Sequence, residues 1–292
     1  MTYEPPAIYG IIGHPLTHSL SPLMHNAAFK SLQVNAVYKL FPLGGDQELK
    51  LFMEDLREEG NPIFGLNVTV PYKEKILPFL DAVDPFAAKA GAVNTIVITH
   101  QRKMRGFNTD GPGFLSHLSE LGFDPKGKRI AILGAGGTAR AILSVLCLIN
   151  DRPAGIKLYN RTVDHAQKLA AQLGQNMDAS LVEVVHSPED LNVELADCLI
   201  NTTSVGLKGE DKLLIDPDAV HPDMLVYDVI YNPPQTALLK AAKSKGAQIS
   251  NGLGMLYYQG ILAFKHWAGV DIDGKCKAIM RKALQEGLKN ES

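Results

Sequence analysis

Two ionisable side chains in polar runs, Lys73 in NVTVPYK and Asp110 in GFNTDG, are of the types that move protons in enzymes. In NVTVPYK, Asn67 and Thr69 alternate with Val68 and Val70, which puts both polar side chains on one face of a strand. Pro71 ends that strand, so Lys73 is predicted just past its C-terminal end, where open α/β sheets place ligands. Taken alone, Lys73 reads either as a solvated surface lysine or as a catalytic ammonium, and Asp110 either as a helix N-cap or as its partner carboxylate. A third polar run, HSLSPLMHN from His18 to Asn26, sets Ser19 and Ser21 just ahead of Pro22, a favoured first helical residue. A carboxylate there would meet two hydroxyls and a helix N-terminus together, while Ser21 also fits a plain N-cap. These runs are bounded by Gly and Pro, and a chain building only a core would place apolar residues in them.

Far from these runs, Gly134, Gly136 and Ala139 spell G-x-G-x-x-A directly after the apolar strand RIAIL and at the mouth of a helix through Ala141 and Leu146. The first glycine permits a tight turn, the second admits a pyrophosphate close to backbone N–H groups, and the alanine lets helix and strand pack. The helix N-terminus adds a partly positive end. Strand, helix and second strand in this order predict a bound dinucleotide rather than a bare turn. At the end of the second strand an NAD site usually carries Asp or Glu for the ribose 2'-OH, and here Asn160, Arg161 and Thr162 stand instead. Arg161 reads as a solvated charge or as the partner of a 2'-phosphate, and its place after the uncharged Asn160 favours NADP.

The elements that must hold these residues alternate between short β-branched or aromatic runs and helical patterns, which predicts parallel sheets with crossover helices. Strands are expected at Ala7–Ile12, Ala36–Phe41, Ile63–Val70 and Val93–Ile98, with helices near Pro22–Leu32 and Asp46–Glu58. Met104–Asn108 is expected to pair with Val93–Ile98 across the polar turn THQRK. LGFDPKGKR then resets the pattern. A second unit follows, with strands at Ile130–Leu133, Ile156–Tyr159, Val182–Val185, Cys198–Asn201 and Leu225–Val229, and helices at Gly137–Ile149 and Val163–Leu173. The residues after Asn251 read as two helices. The fold class is therefore α/β with two domains, the second of Rossmann type.

A chain of 292 residues with a formal charge of −2 gives no electrostatic case for nucleic acid or an anionic membrane, though local donors can still hold a small anion. Cys147, Cys198 and Cys276 form no CxxC pair and read as reduced structural thiols of a cytoplasmic protein. No stretch approaches a membrane span and no export signal is evident at the N-terminus. His14, His18 and His25 come without a carboxylate or Cys ligand set, so they are expected to make structural hydrogen bonds, and no metal is expected.

Together the runs GHPLTHSLSPLMHN, NVTVPYK, AGAVNT, GFNTDG, GAGGTARA, NRT, NTTSVG and GLGMLYYQG closely resemble the shikimate dehydrogenase family, in that family's order and over nearly the whole chain. The resemblance implies an NADP-linked oxidoreductase interconverting 3-dehydroshikimate and shikimate in aromatic amino acid biosynthesis. It implies a substrate-binding and catalytic domain at 1–112, a Rossmann dinucleotide-binding domain at 113–251, and C-terminal helices at 252–292 returning to the first domain. Lys73 and Asp110 would be the catalytic pair. Ser19 and Ser21 would hold the substrate carboxylate with Tyr231 nearby, and Asn67, Thr69, Asn94, Asp110 and Gln259 the ring hydroxyls. Gly134, Ala135, Gly136, Gly137, Thr138, Ala139, Asn160, Arg161, Thr162 and Thr203 match the cofactor motifs, with Val229, Gly252 and Met255 also on the cofactor side. The cleft between the two domains would hold both ligands, and the assembly is open between a monomer and a homodimer.

Two residues depart from the family pattern. Where many NADP-using members carry a second basic residue after NRT, this chain has His165, which makes the expected NADP preference modest. The loop reads GGTA, adding the Thr138 hydroxyl near the pyrophosphate. The rivals are a quinate or dual quinate/shikimate dehydrogenase, which shares Lys73 and Asp110, and a silent NADP-binding regulator, against which the retention of both residues argues.

Overall fold

The computed structural model describes residues 5–208, 211–269 and 271–291. The chain divides into two compact units, Met1–Thr109 with Tyr257–Glu291, and Asp110–Leu256. The first unit contains β1 (Ala7–Gly13), α1 (Ser21–Ser31), β2 (Ala36–Pro42), α2 (Asp46–Asp55), β3 (Ile63–Val68), β4 (Ala82–Val83), α3 (Pro85–Ala90), β5 (Thr95–Ile98) and β6 (Met104–Phe107). The second contains α4 (Asp110–Glu120), β7 (Arg129–Leu133), α5 (Gly137–Leu148), β8 (Gly155–Tyr159), α6 (Val163–Asn176), β9 (Val182–Val185), β10 (Cys198–Asn201), β11 (Leu225–Asp228), α7 (Ala237–Ser244) and β12 (Gln248–Ser250). Two helices close the chain, α8 (Leu253–Ala268) and α9 (Gly274–Glu291).

The first sheet runs β2-β1-β3-β5-β6-β4. Its β1, β2 and β3 are parallel, as the alternation of strand and helix predicts, but β5 is antiparallel to both β3 and β6, so the sheet is mixed. THQRK accounts for the β5–β6 reversal: a link this short cannot cross over, and it closes a hairpin in which Thr99 N–H donates to Lys103 O at 2.9 Å. Helix α2 buries Leu49 and Met53 and places Asp46 and Glu48 at its positive end. The core gathers Ile12, Leu66, Val68, Tyr72, Ile76, Val93 and Ile96. Helix α3 went unread in the sequence although its signals are local: Asp84 caps it by accepting from Phe86 N–H, and Gly91 ends it in the left-handed region at φ 65°.

From Tyr257 onward α8 belongs to this first unit. There α9 packs on α1, and the Trp267 indole donates to Ile96 O of the sheet at 3.0 Å.

The second sheet runs β12-β11-β10-β7-β8-β9 with all neighbours parallel. Strand order reverses between β7 and β10, which makes the C-terminal end of β7 the switch point where dinucleotides bind in such sheets. The glycine loop leaves β7 there. Its core includes Ala131, Leu133, Leu199, Val226 and Leu239. Among the described residues no helix is long and apolar enough to cross a membrane.

Candidate active site

In the first unit the polar runs converge on one buried hydrogen-bond network. Asn67, on β3, donates from its amide to Asn94 O at 3.2 Å and to Thr95 Oγ1 at 3.1 Å, and accepts at Oδ1 from the Tyr38 hydroxyl at 2.7 Å. Asn94 Oδ1 accepts from Thr109 N–H at 2.7 Å and from Thr95 Oγ1 at 3.1 Å, while its amide donates to Thr109 Oγ1 at 3.0 Å. The Tyr38 hydroxyl is also hydrogen-bonded to Ser21, and burial raises its pKa well above the usual value, so it stays a neutral phenol. Ser21 is the first residue inside α1, whose N-cap position is Leu20, which removes the plain N-cap role.

This network assigns a polarity to each amide. Both N–H groups of Asn67 are committed, so it meets a ligand as an acceptor. The carbonyl of Asn94 is committed instead, so it meets a ligand through its remaining N–H.

Lys73 follows Tyr72, whose fully buried ring donates its hydroxyl to Leu43 O at 2.6 Å. The Lys73 carbonyl accepts from Val93 N–H at 2.8 Å, which ties the lysine to the segment carrying Asn94. Strand β3 ends at Val68, short of the expected Val70, although Thr69 N–H still reaches Ile12 O at 2.9 Å. Ser19 is half-buried, with its N–H on Leu16 O. Gln259 is buried on α8, next to Gly260, where a Cβ would stand 2.0 Å from Met24 Cε of α1.

His25 departs from the expectation of structural hydrogen bonding. Its ring is wholly buried and neither nitrogen has a partner. It stacks instead on Tyr38, with centroids 4.6 Å apart, and packs against Phe264 and Trp267. Burial pushes its pKa down to about 3, so the ring is neutral. Asn26 brackets the Tyr38 backbone, donating to its carbonyl at 3.1 Å and accepting from its N–H at 2.8 Å. His14 and His18 are exposed. Among the described residues no three His, Cys, Asp or Glu side chains are grouped to hold a metal.

In the second unit Gly134 has φ 101°, and a Cβ on it would stand 2.5 Å from Thr202 Oγ1 and 2.9 Å from Thr203 Cγ2. The loop therefore requires glycine and lies against Thr203, whose own hydroxyl and N–H are bound to Asn201 Oδ1. At Gly136, which precedes α5, a Cβ would meet open space, and no side chain caps the helix. Ala135, Gly137 and Thr138 are half-buried and Ala139 is fully buried. Uncapped N–H groups at a clear helix start suit a pyrophosphate, so these residues fit the dinucleotide the loop implies.

Asn160 donates to Thr162 O at 2.7 Å. Arg161 is exposed, and His165 is exposed in the first turn of α6. Val229 N–H binds Asn201 O, and its carbonyl faces Gly252, where a Cβ would stand 1.9 Å away. Met255 is buried and Tyr231 half-buried, following the short cluster in which Asp228 accepts from Asn201, Ile230 N–H and Thr236. Burial raises the Asp228 pKa. Asp110 opens α4 and is buried. It belongs to the second unit and Lys73 to the first. The three cysteines are buried and free, and desolvation pushes the Cys147 thiol up to about 11.

Tyr38, Thr95 and Thr109 were missed as site residues. A tyrosine inside the apolar run AVYKLF was the available signal, since a buried phenol needs a partner.

A Rossmann-ordered sheet with this glycine loop, in one chain with a lysine-bearing unit of buried amides and hydroxyls, defines an α/β protein of the dinucleotide-binding class. Residues 11–96 match the family model for the shikimate dehydrogenase substrate binding domain, and residues 117–206 that for shikimate / quinate 5-dehydrogenase. The chain is 44% identical over 285 residues to the shikimate dehydrogenase (NADP(+)) of Moorella thermoacetica, covering 96% of this chain and 93% of that one. The crystal structure of shikimate dehydrogenase from Aquifex aeolicus superposes with a TM-score of 0.86 at 40% identity, covering 98% of this chain and 100% of that one. The Thermus thermophilus shikimate 5-dehydrogenase, solved with NADP(H) and shikimate, superposes with a TM-score of 0.81 at 33% identity, covering 96% and 99%. The chain belongs to the shikimate dehydrogenase family.

Proposed function

We propose that Lys73 and Asp110 carry out in this chain the reaction of its family: NADP-dependent, reversible reduction of 3-dehydroshikimate to shikimate in aromatic amino acid biosynthesis. The observation that carries this reading is the network from Ser21 through Tyr38, Asn67, Thr95 and Asn94 to Thr109, which presents an acceptor and a donor of set polarity on the segments that flank Lys73. A vicinal ring hydroxyl suits that pair, donating to Asn67 and accepting from Asn94. NADPH, when bound, supplies the hydride for the ketone carbon. Lys73, as ammonium, gives the proton to the ketone oxygen and takes it back in the reverse direction. The Asp110 carboxylate takes a hydrogen bond from the neighbouring hydroxyl.

Ser19 and Ser21 hold the substrate carboxylate, with Tyr231 at its edge, while Thr69 and Gln259 read the remaining hydroxyls. Gly134–Ala139 cradle the pyrophosphate. Asn160, Arg161 and Thr162 take the adenosine side, Thr203 and Val229 border the middle of the cofactor, and Gly252 and Met255 border its nicotinamide. Substrate and NADP are the small-molecule partners. The cytoplasm is the compartment we assign, a setting that keeps three buried thiols reduced.

The test is Lys73→Ala. It is expected to keep NADPH affinity and to lose on the order of 10²-fold or more in kcat, the scale of a positioned acid or base. A purified variant retaining more than about half of the wild-type turnover refutes the role of Lys73.

A further inference from the structure

We infer that His117 and Tyr227 form a buried clamp that positions the turn 252–255, acting through the backbone at Gly252 and Met255 rather than by touching a ligand. The inference rests on the reading above that this turn borders the nicotinamide. Tyr227, on β11, is fully buried, and its hydroxyl lies 2.7 Å from His117 Nδ1 of α4. The same oxygen accepts the backbone N–H of Met255. A phenol has one hydrogen, and Met255 already approaches as a donor. The Tyr227 oxygen therefore joins the His117 ring and the Met255 backbone through one buried atom.

The far side of that ring closes on Gly254, where a Cβ would stand 2.1 Å from His117 Nε2 and 2.2 Å from Cε1. Gly252 is shut in the same way by the Val229 carbonyl, while its N–H donates to Ile230 O at 3.2 Å. Leu253 N–H donates to Asn251 Oδ1 at 3.1 Å. Two otherwise orphan donors at the start of α8 are thus satisfied, by Asn251 at Leu253 and by Tyr227 at Met255. Each of the four residues 252–255 has its own fixed contact, and every group involved lies within Asp110–Leu256. A backbone held at every residue is built as core, not as a mobile loop. That rigidity matters for hydride transfer, because a misplacement of about 1 Å can cost on the order of 10²-fold in rate. His117–Tyr227 is a positioning pair for the reduction.

Three variants test it: Tyr227→Phe, Gly254→Ala, and the double variant His117→Asn with Gly254→Ala. Asparagine keeps a hydrogen-bonding amide atom where Nδ1 stood and vacates the space of Cε1 and Nε2, making room for the new methyl. The readouts are kcat and KM with shikimate and NADP, and Kd for NADPH and for adenosine 2',5'-bisphosphate, which lacks a nicotinamide. Each single variant is expected to lower kcat roughly tenfold or more, with bisphosphate affinity held within about twofold. The double variant should recover most of what Gly254→Ala loses. The clamp is overturned if Tyr227→Phe keeps kcat and KM within about twofold of wild type. It is equally overturned if the double variant is no better than Gly254→Ala, or if bisphosphate weakens as much as NADPH. Should Gly254→Ala fail to fold, Tyr227→Phe, which removes a single oxygen, decides. A wild-type enzyme that binds NADPH but does not oxidise shikimate overturns the functional reading and the clamp together, whereas full turnover in both single variants overturns the clamp alone.

Discussion

His25 should make the first unit sensitive to mild acid, and by an amount that its surroundings set. The ring is fully buried between Tyr38, Phe264 and Trp267, neither nitrogen has a partner, and its pKa is pushed down to about 3. In the unfolded chain the same side chain titrates near its ordinary value of about 6.5. Below that pH the unfolded state binds a proton that the folded state refuses, so stability is lost as pH falls from about 6.5 toward 3, and not as it rises. The slope is about 1.4 kcal/mol per pH unit, or about 2 kcal/mol between pH 6.5 and pH 5, against a typical domain stability of roughly 5–15 kcal/mol.

Trp267 is the only tryptophan in the chain and its ring centroid lies 5.0 Å from that of His25, so urea unfolding followed by its fluorescence reports on this unit. The comparison is wild type against His25→Leu at pH 8 and pH 5. Wild type should lose about 2 kcal/mol more than the variant between the two conditions, because every other histidine and carboxylate contributes equally to both proteins. Working above pH 5 also avoids Asp178, Asp81 and Asp197, whose carboxyls are held low by hydrogen bonds and basic neighbours and whose stabilisation is lost only in stronger acid. Equal losses in wild type and His25→Leu would refute the claim that this ring stays uncharged in the fold.

Tyr38→Phe should raise KM for shikimate roughly five- to a hundredfold while NADPH affinity holds, since a buried Asn67 oxygen loses its donor at about 1–3 kcal/mol; an unchanged KM would mean Asn67 is held without it. Arg161→Ala should remove most of the discrimination between NADP and NAD in kcat/KM, and His165→Arg should sharpen it, because a guanidinium pairs with a phosphate bidentately and an imidazole cannot. A cofactor ratio untouched by Arg161→Ala would place specificity elsewhere.

In the second unit the nucleotide-binding half was legible, while α4, α7 and β12 went unread. RIAIL, the G-x-G-x-x-A loop and the returning strand Gly155–Tyr159 follow local rules of period and turn chemistry, and those rules suffice where every neighbour in the sheet is parallel. In the first unit the same rules found β1 to β3 and the β5–β6 pairing across THQRK, but not the antiparallel pairing of β5 with β3, which joins strands distant in the sequence. Of the network's amides, Asn67 was legible in the alternation of NVTV, and Asn94 only through the family resemblance. Their hydrogen-bond polarity was not, since it follows from Thr95 and Thr109, which reach Asn94 only once the strands are paired.

The least legible residues share one chemistry. Tyr38 stands in AVYKLF and Tyr227 in MLVYDV, and in each run the tyrosine reads as one more apolar strand residue. Both rings are buried, and each oxygen joins two partners that no sequence period relates: Ser21 and Asn67 for Tyr38, Met255 and His117 for Tyr227. A phenol suits this task because its ring fills a core position while its single hydroxyl both accepts and donates. In neither case does the tyrosine belong to the motif it supports. Each unit therefore fixes its motif residues through a strand tyrosine contributed from elsewhere in the chain, and replacing that oxygen alone tests the arrangement without removing a group assigned to bind or react.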